Sequence, residues 1–288
     1  MNNKILVTGG AGFIGTNLIK KLLSYNYKVY SLDDYSTGSV ENEQVSDLVN
    51  YINGDIEEIN KLDGRSFDTC FHLAAQSRVQ PSFQDPMESF KTNVNGTLRV
   101  MEWAQKNNVK VIYAGSSSKH YNPSDSPYAM TKFQGEEICK LYREHFSVDV
   151  QIARFYNVYG PYEPIDIKYG NVIGIWRAKI MSGQPLPIVG DGKQRRDFTH
   201  VDDIIDGIIK ISESKLFHND AWELGTGINY SINELFQMFK KKFNVNCSHI
   251  DDQVGNYRKT IRKNDDMLKK LNWSPKDRLY NYIQDLKN

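Results

Sequence analysis

The sequence predicts a doubly wound α/β domain, a parallel sheet covered on both faces by helices, followed by a smaller α/β lobe. Three observations carry this. Short apolar runs alternate with helical patterns through the first half, a glycine-rich turn joins the first strand to the first helix, and past about residue 160 the spacing becomes irregular and rich in Pro, Gly and Tyr. Strands separated by helices imply right-handed crossovers and therefore a parallel sheet.

In chain order, "KILVTG" reads as the first strand and the stretch from about Gly12 to Tyr25 as the first helix, with "KVYSLDD" and "TCFHLAA" as further strands. A helical pattern around Val94 to Lys106 leads to the strand "VKVIYAG", then to a helix from about Pro127 to Phe146 and the strand "VDVQIARF". Helical patterns return near Val172 to Met181, Asp202 to Ser212 and Ile232 to Phe243, without internal repeats or low-complexity tracts.

Composition excludes several classes. The 288 residues carry a formal net charge of +1, with basic residues spread along the chain, so the footprint of a nucleic-acid binder is missing. Lys240 to Lys242 form the densest basic run and read as a solvated helix face. The three cysteines, Cys70, Cys139 and Cys247, lie too far apart for a zinc site or a disulfide framework. No leader-like segment or apolar run of membrane-spanning length is present, so a cytoplasmic protein without membrane association is expected. Asp191, Asp197, Asp202 and Asp203 are expected to orient loops and cap the helix after Val201; no metal site is expected.

Chemistry begins at "VTGGAGFIG". Gly9, Gly12 and Gly15 recur at three-residue spacing between the first strand and the first helix. Glycines there allow a tight turn, close backbone approach to a pyrophosphate and close packing of helix on strand, with the phosphates at the positive helix N-terminus. The next strand ends in Asp33 and Asp34, about twenty residues on, as a dinucleotide site requires. A carboxylate at Asp33 accepts hydrogen bonds from ribose hydroxyls and repels a 2′-phosphate, which favours NAD over NADP. Further along, "SPYAMTK" sets Tyr128 and Lys132 four apart, on one face of the helix that Pro127 begins. An ammonium one turn from a phenol stabilises the phenolate, which can then exchange a proton with a substrate hydroxyl.

With these two motifs in place the chain resembles the extended short-chain dehydrogenase/reductase family, the NAD-dependent nucleotide-sugar epimerases and dehydratases. "TGGAGFIG", "LDDYSTG", "GDI", "FHLAAQ", "KTNVNGT", "SSSKHY", "YAMTK", "RFYNVYGP", "GDGKQRRDFTHVDD" and "ELGTG" look like its signatures in their usual order. The resemblance implies a Rossmann domain over residues 1–160 and a nucleotide-sugar lobe over 161–288, with some later segments returning to the first domain. It places at the cofactor the three glycines, Phe13 and Ile14, Asp33 and Asp34, Asp55 and Ile56 of "GDI", and Leu73, Ala74 and Ala75 of "FHLAAQ". It makes Ser117 the hydroxyl that orients the sugar 4-OH, Tyr128 its base and Lys132 a ligand of the nicotinamide ribose. Asn157, Arg196 and Arg258 would hold the diphosphate of a UDP-sugar, for which a planar guanidinium is well shaped.

Ser118 and Lys119 occupy the two positions that separate reactions within the family. Lysine at the second, the short connection to Tyr128 and Lys91 in "ESFKTN" are similar to the inverting UDP-N-acetylglucosamine 4,6-dehydratases, a lyase group, whereas Ser118 departs from that group's aspartate. The resemblance implies oxidation at C4, loss of water across C5–C6 with Lys119 as the C5 base, and hydride return to C6, with Lys91 on the substrate side. The alternative is a UDP-hexose 4-epimerase, which needs only Ser117, Tyr128, Lys132 and NAD. A homodimer is expected, because the helices near Val94 to Lys106 and Pro127 to Phe146 carry Leu98, Met101, Trp103, Ile138 and Tyr142 beyond what one sheet contact needs.

Overall fold

The computed structural model describes residues 4–287. Strands β1 (Lys4–Thr8), β2 (Lys28–Asp33), β3 (Val49–Asn53), β4 (Thr69–His72), β5 (Lys110–Ser116) and β6 (Val150–Phe155) form a parallel sheet with a seventh, late edge strand, Trp222–Leu224. The order from that edge is β6, β5, β4, β1, β2, β3, so the direction of winding reverses between β4 and β1. A crevice opens at the carboxyl ends of the strands at such a point, where open α/β sheets bind their ligands.

Helices α1 (Phe13–Ser24), α2 (Val79–Gln84), α3 (Pro86–Phe90), α4 (Gly96–Asn107) and α5 (Pro127–His145) follow their strands in order. One face of the sheet carries α4 and α5 over a core of Val100, Met101, Trp103, Val111, Ile152 and neighbours. The other is covered by α1 and a later helix, Val201–Glu213, whose Ile204, Ile205, Ile208 and Ile211 pack against Leu18, Ile19 and Phe71. Pro127 at the first position and the Ser126 hydroxyl, which accepts from Ala129 N–H at 3.0 Å, start α5 where the sequence indicated. The smaller lobe has its own core, in which Trp176 of helix Val172–Met181 meets Phe236 and Phe239 of helix Ile232–Phe243 edge-on.

Segments beyond residue 160 pack with the first unit, and some other expectations change. Residues 201–213 and 222–224 rejoin the first unit, and Leu268, Leu271 and Trp273 join that same core. Strand β3 has no sequence signal, because "VNYIN" alternates with asparagine and carries no apolar run. The helix after Val201 is capped by the His200 ring, which accepts from Asp202 N–H at 3.2 Å; the aspartates lie in its first turn. Of the five side chains read as a dimer face, Met101, Trp103 and Tyr142 are buried in the protomer's own core and Leu98 is exposed. Among the described residues no helix is long and apolar enough to cross a membrane.

Candidate active site

A cleft of about 840 Å³ runs along the carboxyl ends of the strands and under the smaller lobe. At one end lies the glycine turn. Gly9 sits at φ +72°, and a Cβ there would come within 2.8 Å of the Ala74 backbone nitrogen, while one on Gly15 would fall 2.1 Å from the Gly9 carbonyl oxygen. Gly12 differs: a Cβ there would meet only that carbonyl, at 3.3 Å, so its other side faces open space. Helix α1 begins at Gly12 without a side-chain cap, leaving its N-terminal N–H groups to the cleft. Phe13, Ile14, Asp33, Asp34, Ile56 and Leu73 to Ala75 line the same end.

Asp33 is buried and spans the turn, its carboxylate accepting from Ala11 N–H and Tyr35 N–H at 2.8 Å each. Burial raises its pKa and those N–H groups oppose the rise. Asp34 is exposed and binds Ser36 locally. The Thr8 hydroxyl, held by His72 Nδ1 at 2.8 Å, accepts from Leu73 and Ala74 N–H and fixes that loop against β1. The open glycine, the uncapped helix and the buried carboxylate together fit a dinucleotide. Asp55 lies off the cleft wall: its carboxylate caps the turn after β3 and takes the Lys91 ammonium at 2.7 Å. Lys91 is thereby corrected from the substrate set to a position outside the cleft.

At the other end stand the side chains expected from the sequence to be catalytic. Tyr128 Oη donates to Ser116 Oγ at 3.2 Å, and Ser118 Oγ donates to the same oxygen at 2.9 Å. Ser117 lines the cleft beside them, but the serine that meets the phenol is Ser116, which the sequence reading passed over. Lys132 is buried one turn from Tyr128 and donates to the Ala114 carbonyl at 3.0 Å; burial pulls its pKa down to about 8 against the opposing pull of Glu136. Burial raises the phenol's pKa, and the groups that lower it are Ser116 and the Arg78 guanidinium, in place of the lysine that the Tyr/Lys spacing suggested.

Lys119 is not in the cleft. Its ammonium binds Glu137 at 2.6 Å and lies 3.8 Å from the centroid of the Phe133 ring, both on the outer side of α5. Arg258 is exposed and paired with Asp191 at 2.9 Å, so it is corrected from the substrate set as well. Arg196 does reach the cleft, bonded to Asn256 and the Arg195 carbonyl, with burial pulling its pKa down to about 10. Asn157 lines the cleft but spends its amide on Thr260 Oγ1 at 3.0 Å and the Asp197 carbonyl at 3.2 Å.

Beneath the catalytic turn lies a buried charge network. Arg154 donates to Glu136, to Glu223 at 2.8 Å and to Asp220 at 2.8 Å, and Glu223 also holds His120, the last residue of the turn, at 2.9 Å. Glu136 shares a helix face with Tyr128 and Lys132, and the Ser116 N–H points at its carboxylate. The turn is thus tied to the sheet edge and to α5 together.

Fold and cleft define a dinucleotide-binding protein of the α/β type, with a Tyr-x-x-x-Lys pair at the end of its cleft. More narrowly, the chain belongs to the NAD dependent epimerase/dehydratase family, whose profile matches residues 5–225. It is 33% identical over 253 residues to a UDP-glucose 4-epimerase of Mycolicibacterium smegmatis, covering 81% of this chain and 80% of that one. Among solved structures it resembles an epimerase from Methanothermobacter thermautotrophicus, with a TM-score of 0.91 at 26% identity over 98% of this chain and 90% of the other. It also resembles a UDP-glucose 4-epimerase from Thermotoga maritima solved with UDP-glucose, with a TM-score of 0.87 at 28% identity over 98% and 96%. The cofactor of the family is NAD.

Proposed function

We propose that the protein is a UDP-sugar 4-epimerase. One observation carries the choice over a dehydratase. Among the described residues, neither a carboxylate nor an imidazole lines the catalytic end of the cleft, and Lys119 is held on Glu137 outside it. Removing water across C5–C6 needs an acid and a base beyond the group that works at O4. Inverting C4 needs only one proton-transfer group acting forwards and then in reverse.

NAD bound on the glycine turn supplies reversible hydride chemistry at C4. Tyr128 takes the proton of the sugar hydroxyl and later returns it, while Ser116 orients the phenol and Ser118 fixes Ser116. Lys132, anchored on Ala114, keeps positive charge one helical turn from that phenol. Arg196 holds the diphosphate from the smaller lobe, where its fork has no carboxylate partner among the described residues. Relatives named for UDP-glucose epimerisation support the nucleotide and the reaction.

Incubation with UDP-glucose, UDP-N-acetylglucosamine and UDP-glucuronic acid, followed by mass and NMR analysis, tests the reading. A product of unchanged mass inverted at C4 is expected from at least one of them. A product lighter by one water refutes the proposal.

A further inference from the structure

The cleft holds a cation that the proposed reaction does not use. Arg78 follows the Leu73–Ala75 loop and lines the cleft at the catalytic end, near enough to Tyr128 for each to influence the other's ionisation. Its one hydrogen bond is from Nε to the Tyr169 carbonyl, at 2.6 Å, and among the described residues it forms no ion pair. Anchored by Nε, the guanidinium leaves its two terminal nitrogens, the fork suited to a carboxylate, without a protein acceptor. Burial holds its pKa below the ordinary value, against the weaker pull of Tyr128 and of the Glu163 carboxylate, which is itself bonded to Arg177, Asn171 and Tyr282.

A second donor lies on the segment that packs against the start of α2. The 253–257 loop packs on α2: Gln80 Nε2 donates to the Val254 carbonyl at 3.0 Å, and a Cβ on Gly255 would come within 2.8 Å of Val79. The loop carries Tyr257 into the cleft wall, stacked on Tyr121 with ring centroids 3.9 Å apart. The Tyr257 hydroxyl is buried and has no hydrogen-bond partner. Its pKa is pushed up to about 12 by burial, so at neutral pH it is a donor. An unpaired guanidinium and an orphaned phenol on adjoining loops are each costly to leave unsatisfied, and one bound anion relieves both.

We propose that Arg78 and Tyr257 bind a carboxylate carried by the hexose, so that the preferred substrate is a UDP-hexuronate. The inference rests on the cleft being a nucleotide-sugar site and names the sugar. Both groups act on the ionisation of Tyr128 or feel it, and Tyr128 must touch the hexose; Tyr257 also neighbours Arg196, whose fork is bonded to Asn256. A C6 carboxylate has no hydroxyl to lose, in keeping with epimerisation.

The test is calorimetric binding of UDP-glucuronic acid, UDP-glucose and UDP to the NAD-loaded protein. The wild type is expected to hold UDP-glucuronic acid about 10- to 100-fold tighter than UDP-glucose, the range of a charge-assisted pair. Arg78→Gln should bring that ratio to about one, and Arg78→Lys should restore part of it. Tyr257→Phe, which removes a hydroxyl bonded to nothing in the protein, should lower it about three- to tenfold. A wild-type ratio near one overturns the proposal. So does an Arg78→Gln loss that is equal for all three ligands, since the guanidinium would then serve the diphosphate. Should Arg78→Gln fail to fold, an unchanged ratio in both other variants overturns it too. Binding separates this claim from the reaction: an Arg78-dependent preference without C4 inversion sinks the epimerase reading alone, and C4 inversion without the preference sinks this one alone.

Discussion

Replacing Lys119 by alanine separates the two readings of the catalytic turn. In the structure the ammonium is 2.6 Å from Glu137 and 3.8 Å from the Phe133 ring centroid, and the lysine side chain is 15% exposed against 47% for Glu137. A partly exposed ion pair contributes about 0.2–1 kcal/mol. The cation–π contact adds about 0.5–1 kcal/mol. Glu137 keeps a second partner, Lys140 at 3.5 Å, which limits the loss. Lys119→Ala should therefore cost about 1–1.5 kcal/mol, a fall in Tm of about 2–5 °C for a chain of this size. Turnover of a UDP-sugar should stay within about threefold, because no group in the cleft has moved. Calorimetric melting and a C4-epimerisation assay read the two quantities on one preparation. If Lys119 were a base in the chemistry, kcat would drop by about 10²-fold or more. Such a drop with an unchanged melt would refute the placement of the side chain and revive the dehydratase.

The other expectations concern the cleft itself. Gly12→Ala should melt like the wild type, because its Cβ meets only one carbonyl oxygen, yet lose NAD in a binding titration; Gly15→Ala, forced to 2.1 Å from Gly9, should lose both. Tyr128→Phe should bind NAD and UDP-sugar normally but lose about 10²–10⁴ in kcat, with no reduced-nicotinamide absorbance on mixing. Ser116→Ala removes a hydrogen bond that lowers the phenol's pKa, so the rising limb of kcat/KM should move to higher pH; an unmoved limb would return the role to Ser117. His72 is buried and neutral, its folded pKa down at about 3 from burial and, after that, from Lys132. The unfolded chain binds that proton first, so stability is full above the unfolded value and falls on acidification, by about 2 kcal/mol between about pH 7 and about pH 5. Urea titrations of wild type and His72→Gln should show this slope only in the former.

The sheet was legible where the local pattern matched the tertiary role. The β1–α1 turn could be read because glycines at those positions have one steric use, and α5 because Ser126-Pro127 is a start signal that needs no long-range partner. The strand Trp222–Leu224 was recognised only as a signature, since three residues hold no period and its pairing with β6 lies about seventy positions away. The site divided in the same way. Tyr128 and Lys132 follow from helical spacing, but which of three consecutive serines meets the phenol depends on where β5 ends and the turn begins. Lys119 was misassigned because its fate is set by Phe133 and Glu137, which sit on one face of the next helix. Arg78 carried no signal at all: its significance lies in having no partner, and that exists only once the chain is folded.

The network around Arg154 has a consequence for the order in which the protein is made. The residues proposed to do the chemistry, 116 to 132, are made in the first half of synthesis, and Arg154 soon after. Asp220 and Glu223, which answer half of that guanidinium and all of the His120 contact, emerge some seventy residues later. Until then β6 is an open edge and a cation destined for burial has Glu136 alone, an arrangement that desolvation disfavours. A nascent chain halted near residue 160 should expose that edge and engage chaperones, and the catalytic turn should set only once the strand at 222–224 has docked.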